Sequence, residues 1–370
     1  MRKNYYKISS LQLSVLIVST IIGVGILSLP STASEKLNTD GWILIAVSGL
    51  IAAILTYLIS YVGKLYTGKT LVEYGKDLMT APVTYIVSII FCIYFIVLTG
   101  FEVRLFAEVI KMFLLIKTPT EIIIITMLLA TSYIVRCGVE ALTRMALIIL
   151  PLVLIPLFLL FLALVPEMNL TNIFPVFRFK IIDLIKAIPS VVFSFIGFEL
   201  ILFFSAFVDD QKKSIKYNVI SIIIVTLIYI LVFFVTILRF GAQEVAHQIW
   251  PTLSLMKIID FPGAFVENVE GIVMALWVLA VFTSLAPVLY ATSLILKRLF
   301  KLQEHSYFVL PFIPIIYFIA LIPDNLAGLY KFMDIFTFYV GSFAAILVPF
   351  VLFILALFKK GRNRRSRSRG

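Results

Sequence analysis

The groups in this sequence with most chemical meaning are small and acidic residues set inside long apolar runs. One run reads Ser19-Thr20-Ile21-Ile22-Gly23-Val24-Gly25-Ile26-Leu27-Ser28-Leu29-Pro30, with its two glycines one residue apart. Another reads Pro189-Ser190-Val191-Val192-Phe193-Ser194-Phe195-Ile196-Gly197-Phe198-Glu199. Glycine and proline inside a spanning helix free backbone groups that lipid cannot satisfy, so they are tolerated where protein or a polar cavity supplies partners. A freed N–H end then attracts an anion and a freed C=O end a cation, each helped by the helix dipole. Glu199 places a carboxylate just past the middle of its run, where a charge is costly and marks a functional site. It can also cap the N–H groups of a half-helix.

Other polar groups carry less. Thr283 and Ser284 sit together near mid-run, with Pro287 close by. Adjacent hydroxyls there can hold an ion or a water, or bond back to their own helix carbonyls. Glu102, Arg104, Glu108 and Lys111 gather at the end of a third run, where the i,i+4 spacing of Arg104 and Glu108 predicts an interfacial pair. Cys92 and Cys137 are far apart, and His247 and His305 are isolated loop residues, so neither a metal nor a cofactor is expected. Neither Gly-x-Ser-x-Gly nor His-Glu-x-x-His occurs, which argues against an enzyme.

The elements that must position these groups follow from composition. Hydrophobic residues are 62% and charged residues 14% of the 370, where a soluble domain has about a quarter charged. Mean hydropathy is +1.10. The fold class is therefore an all-α membrane protein. About ten apolar segments meet the length of a span: 9–31, 41–63, 82–103, 121–136, 143–165, 188–207, 217–240, 268–296, 307–322 and 336–358. The first exceeds the roughly 7–15 residues of a signal-peptide core and reads as a retained helix. Residues 1–358 form a single transmembrane domain, and 359–370 form a basic disordered tail. Halving the ten gives repeat one, 9–165, and repeat two, 188–358. Each half opens with an interrupted helix, and an odd number of spans per half inverts the second against the first. A five-plus-five inverted repeat with interrupted helices 1 and 6 places a substrate site at the midplane.

Net charge is +11. Lysine and arginine concentrate on the loops that share a side with both termini, which predicts cytoplasmic N- and C-termini by the positive-inside rule. The Arg/Ser tail, Gly361 to Gly370, superficially resembles an RNA-binding segment. Beside a bilayer it reads as a tail held near anionic headgroups, and no nucleic-acid partner is expected. Two outward loops are longer than tight turns. Within 241–267, Trp250-Pro251 and the stretch Leu253 to Ile259 predict a short interfacial helix with Trp250 at headgroup depth, or a lid over an outward pathway.

On these residues the chain resembles the B subunits of bacterial spore germinant receptors, members of the amino acid–polyamine–organocation transporter superfamily. The resemblance rests on Ile22 to Pro30, on Arg104 with Leu115-Ile116-Lys117-Thr118-Pro119, on the Arg136 to Arg144 stretch, and on Gly197-Phe198-Glu199. It implies a ten-helix protein of the inner membrane of a spore-forming bacterium's spore. It also implies recognition of a small nutrient, chiefly an amino acid, in a complex with an A-type membrane subunit and a C-type lipoprotein. Carriers of the superfamily often place a lysine in helix five; here that segment has Pro151 and Pro156 but no interior lysine, which favours sensing over conventional proton-coupled transport. Two functions are carried forward: a germination receptor subunit that binds its germinant and signals to partners, and an amino acid permease. The candidate ligand site is Gly23, Val24, Gly25 and Ile26 with Phe193, Ser194, Phe195, Ile196, Gly197, Phe198 and Glu199. Thr283 and Ser284 are a candidate ion or water site.

Overall fold

The computed structural model describes residues 7–258 and 269–367. In chain order its helices are α1 (Ser10–Leu37), α2 (Gly41–Leu65), α3 (Leu71–Leu78), α4 (Ala81–Phe113), α5 (Thr120–Arg136), α6 (Val139–Leu164), α7 (Ile181–Val192) and α8 (Ile201–Phe204). They continue with α9 (Gln211–Phe240), α10 (Ala242–His247), α11 (Pro251–Ile258), α12 (Val269–Leu299), α13 (Ser306–Leu321), α14 (Leu326–Phe336) and α15 (Val348–Arg367). Among the described residues, six stretches have the length and apolarity of a span, and one of these, Gly25–Leu65, joins the second half of α1 to α2. The pair 181–195 and 198–207 passes the same test as a broken span bent by 55°. With α5 and α13 these make ten bundle segments, in the order the hydropathy predicts.

Helix one is the hub of the bundle. It packs on α9, α12 and α6 and is capped by α10 and α11. Its start carries a capping box, in which the Ser9 hydroxyl accepts from the Gln12 N–H at 3.1 Å and the Gln12 side chain accepts from the Ser9 N–H at 2.7 Å. Just before it, the Ile8 N–H donates to the Phe207 carbonyl at 2.9 Å and the Asp209 N–H to the Ile8 carbonyl at 3.1 Å. This parallel bridge ties the start of helix one to the end of helix six. Asp210 caps α9 by accepting from the N–H groups of Lys213 and Lys212, which hold its carboxyl below the usual carboxylate range.

Four expectations need correction. The first helix is not interrupted: α1 is one continuous helix across Gly23, Val24 and Gly25. Glycine lowers helix propensity by about 1 kcal/mol but does not forbid helical dihedrals, and packing on several neighbours is enough to keep the turn wound. The third span runs ten residues beyond its expected end at 103, to Phe113. Glu102 and Arg104 are therefore buried inside the bundle, and Arg104 reaches the Ala320 carbonyl as well as Glu108. Trp250 is buried too, with its indole N–H on the Tyr330 hydroxyl at 2.8 Å. Last, helix ten begins at Leu326, passes through π-helical turns at Thr337–Gly341 and Phe343–Leu347, and continues as α15 to Arg367, past the boundary placed at 358.

The start of α11 is tied to helix one, where the Thr252 hydroxyl donates to the Ile26 carbonyl at 2.8 Å. Ile259, where the predicted interfacial helix ends, lies outside the described residues. His305 is half-buried, with Nε2 2.9 Å from the Val135 carbonyl and its ring 4.8 Å from that of Tyr290.

Candidate functional site

The interruption of helix six is real, and its sequence explains it. After α7 the chain makes a 3-10 turn at Phe193–Phe195, becomes extended at Ile196, and turns through Gly197 at φ +124° before a second 3-10 turn at Phe198–Leu200. Side-chain-bearing residues rarely adopt that φ, so glycine is what lets the helix break here. The Gly197 N–H that the break frees donates to Glu199 Oε2 at 2.8 Å. Glu199 Oε1 accepts from the Tyr94 hydroxyl of α4 at 3.1 Å. Glu199 is fully buried, and its two donors serve it as an acceptor. The Tyr94 ring stacks on Phe336 at the end of α14, 6.0 Å between centroids, and the π-helical turn that follows brings Gly341 against the Phe193 ring. π-Turns cluster at functional sites, and this one lies beside the break.

Helix one meets the break at Gly25. A Cβ there would lie 3.0 Å from the Tyr229 hydroxyl and 3.2 Å from the Ser194 carbonyl oxygen, so only a hydrogen fits comfortably. The Tyr229 hydroxyl of α9 stands 2.9 Å from the Ile21 carbonyl and 3.0 Å from the Ser194 carbonyl. One hydrogen serves both, so Tyr229 clasps helix one to helix six. Phe195 rests edge-on against the same ring, 5.3 Å between centroids.

On the opposite side of helix one, Gly23 faces α12. A Cβ there would lie 2.5 Å from Ser284 Cβ. The Ser284 hydroxyl donates to the Thr20 carbonyl at 2.7 Å, and the Trp277 indole N–H to the Gly23 carbonyl at 3.2 Å. The carbonyls of Thr20, Ile21, Gly23 and Ile26 thus each take a side-chain donor, from α12, α9, α12 and α11 respectively. Helix one is wound, yet its middle is polarised as an unwound segment would be. Beside Ile22, Ile26, Trp277 and Ala280 lies a narrow, apolar cavity of about 30 Å³, roofed by Met256 of α11.

The predicted residues therefore fall into two groups. Gly25, Ser194 and Phe195 come together at Tyr229; Gly23 and Ser284 come together on the far side of helix one. Phe198 and Glu199 are buried toward α4 and α2, Phe193 toward helix ten, and the side chain of Val24 is outside the described positions. Thr283 bonds its own helix, at Ala280, at 2.8 Å. Sequence reasoning missed Tyr94, Tyr229 and Trp277, and read Glu102 as a residue at the end of its span rather than inside the bundle. A signal existed for the first three, since a hydroxyl or indole N–H inside a span needs a partner. No metal-binding cluster of His, Cys, Asp or Glu occurs among the described residues.

Beyond the bundle, a polar cavity of about 420 Å³ opens between the α1–α2 turn and the strap at 175–183. The strap is fixed by Asp40, whose oxygens accept the N–H groups of Phe177 at 2.7 Å and Arg178 at 2.8 Å, and by the Thr39 hydroxyl on the Pro175 carbonyl.

Comparison with known proteins gives three consistent findings. A family model described as spore germination protein matches residues 7–328. Spore germination protein A2 of Bacillus subtilis (strain 168) is 29% identical over 357 residues, 96% of each chain, and spore germination protein GerLB of Bacillus cereus is 28% identical over 96% of this chain and 95% of its own. Spore germination protein B2 of Bacillus subtilis (strain 168) is 26% identical over 98% of this chain and 99% of its own. Among solved structures, the crystal structure of MhsT in complex with L-phenylalanine superposes with a TM-score of 0.73 over 95% of this chain and 89% of that one, at 13% identity. At that identity the likeness is one of fold: an inverted-repeat transporter bundle.

Proposed function

Because the chain belongs to the spore germination protein family, we propose that it is the membrane subunit of a germinant receptor that binds a small nutrient, an α-amino acid, at the junction of helices one and six. Its membership and its transporter-like fold make it a germination-related, permease-like membrane protein. The observation that carries the ligand reading is the meeting of Gly25 with Ser194 and Tyr229 at the break in helix six. In this reading the ammonium of the amino acid takes the Ser194 carbonyl in place of the Tyr229 hydroxyl. Its carboxylate takes N–H groups released when helix one opens at Gly23–Gly25, the turn that propensity makes weakest. Phe195 and Phe198 flank the side chain. Displacing one shared clasp then couples occupancy to the relative position of helices one and six, and a change in that position is what partner subunits of the A and C types would read.

Two ancillary parts belong to the same reading. Both termini are cytoplasmic on the strength of the lysine and arginine bias, and the resemblance to germinant receptor subunits implies the inner membrane. Ser284 suits an ion or a water better than Thr283, because its hydroxyl reaches across to helix one whereas that of Thr283 stays on its own helix.

The test is binding of radiolabelled amino acids to the purified protein in nanodiscs, repeated with Gly25→Val. Saturable binding to the wild type that is lost in a correctly inserted variant supports the site; equal binding by both refutes it. The transporter fold favours a second reading, an amino acid permease. Concentrative uptake into proteoliposomes containing this subunit alone would establish that reading over the receptor.

A further inference from the structure

We propose that the corner where α2, α3 and α15 meet is a binding site for an anionic phospholipid. The proposal does not depend on the nutrient site. Each of the two long helices there carries an apolar stripe that ends in lysine. On α2 the residues three or four apart read Leu50, Ile54, Tyr57, Tyr61 and Lys64; on α15 they read Phe350, Phe353, Leu357 and Lys360. Residues at that spacing share one helix face. Leu50, Ile54, Tyr57, Phe350 and Leu357 are exposed. The two stripes meet: the Tyr57 ring stacks on that of Tyr61 at 6.3 Å, and Tyr61 meets Phe353 edge-on at 5.6 Å between centroids. The surface is apolar along its length and cationic at one end, which complements the outline of an anionic phospholipid.

The cations at that end are held in place without being neutralised. Glu73 is taken by Arg298 at 2.7 Å and by the Thr70 N–H at 2.9 Å, and Asp77 by Lys69 at 2.9 Å. Lys76, Lys359 and Lys360 donate to neutral oxygens instead. Lys76 reaches the Tyr85 hydroxyl at 3.2 Å, with its Nζ 4.6 Å from the ring centroid. Lys359 reaches the backbone carbonyl of Asp77. Lys360 reaches the Tyr61 hydroxyl at 2.9 Å, with its Nζ 5.4 Å from the ring centroid. Neither these three nor Lys64 lies within ion-pair distance of a carboxylate among the described residues. The sequence of α15 adds Arg362, Arg364, Arg365 and Arg367 beyond them. Like charges gathered at the edge of a low-dielectric slab repel, and a phosphate among them relieves that repulsion.

Two features select a lipid over a soluble phosphate. Lys64 and Lys360 stand at the ends of their spans, the depth at which headgroup phosphates lie. The exposed rings and aliphatic side chains run from them along the spans, where a soluble anion gains nothing and an acyl chain packs. A zwitterionic lipid packs on the same stripes but brings a cation of its own, so the lysines favour a headgroup with net negative charge.

Native mass spectrometry of the full chain in detergent tests this by titration with dioleoyl phosphatidylglycerol, dioleoyl phosphatidylcholine and glycerophosphoglycerol, the anionic headgroup without its chains. The wild type should hold phosphatidylglycerol more tightly than either of the others, and this arm needs no variant. Lys359→Gln with Lys360→Gln should weaken phosphatidylglycerol by about 30-fold. Lys359→Arg with Lys360→Arg should retain it, as should Lys212→Gln with Lys213→Gln at the start of α9, a basic pair elsewhere on the chain. Equal affinity for the two lipids, an unchanged affinity in the Lys359/Lys360 glutamine pair, or an equal loss in the Lys212/Lys213 pair would overturn the proposal. Glycerophosphoglycerol bound as tightly as the intact lipid would overturn it too, in favour of a soluble phosphate.

Discussion

Replacing Gly197 with alanine tests the break in helix six most directly. The residue holds φ +124° and ψ −25°, a conformation that side-chain-bearing residues rarely adopt, and forcing one there costs about 1–3 kcal/mol. The new methyl would also stand 3.1 Å from Ile21 Cγ1 and from Thr20 Cγ2, so helix one must yield by a few tenths of an ångström, at about 1 kcal/mol more. A total of about 2–4 kcal/mol corresponds to roughly 30- to 700-fold in the local opening equilibrium. Hydrogen exchange followed by mass spectrometry in nanodiscs reads this as lost protection across 193–207, where opening is cooperative with the break. Gly271→Ala in α12 is the control. Its Cβ meets nothing within 4 Å, so the change should hold or raise stability by up to about 1 kcal/mol. Unchanged protection in Gly197→Ala, or an equal loss in Gly271→Ala, would refute the reasoning.

Gly23→Ala pushes its methyl onto Ser284 Cβ and should lower thermal stability by about 1–3 kcal/mol, with most of the loss restored by adding Ser284→Gly, a coupling that a double-mutant cycle measures. Tyr229→Phe leaves the Ser194 carbonyl without its hydroxyl donor; a loss of about 1–3 kcal/mol is expected in melting, and amino acid binding should change more than in a distant Tyr→Phe variant such as Tyr317→Phe. Glu199→Gln keeps one acceptor oxygen for two donors, so the nutrient response should weaken while any uptake keeps its pH dependence; proton-driven uptake that vanishes in this variant would instead make Glu199 the coupling group. Burial holds the pKa of His305 below its ordinary 6.5, so the folded protein favours the neutral ring. Its contribution is present above pH 6.5 and is lost as pH falls through the lowered value, and protection of the 300–305 loop should follow that course in the wild type but not in His305→Asn.

The number of spans, their order and the position of the helix-six break were legible in the sequence. Lipid tolerates only long apolar helices with internally satisfied backbones, so runs of apolar residues translate almost directly into segments. Gly197-Phe198-Glu199 was legible for a related reason: a glycine followed by an acid inside such a run has few other uses. Segment ends were less so. Glu102 and Arg104 read as an interface because charge usually marks one, but neighbouring helices bury them and α4 continues for nearly three more turns.

Whether Gly23 and Gly25 break helix one was not in the sequence, because glycine permits two backbone conformations and the neighbours choose between them. Here Ser284, Trp277, Tyr229 and Thr252 come from three other elements, remote in sequence, and their donors land on carbonyls of a helix that stays wound. The same holds for the two buried carboxyls. Sequence shows each glutamate within an apolar run, and only the tertiary arrangement gives Glu199 its two donors and buries Glu102 inside the bundle. Periodicity and apolarity are local properties that a chain carries with it, whereas the partner of a buried polar atom is set by how distant segments pack.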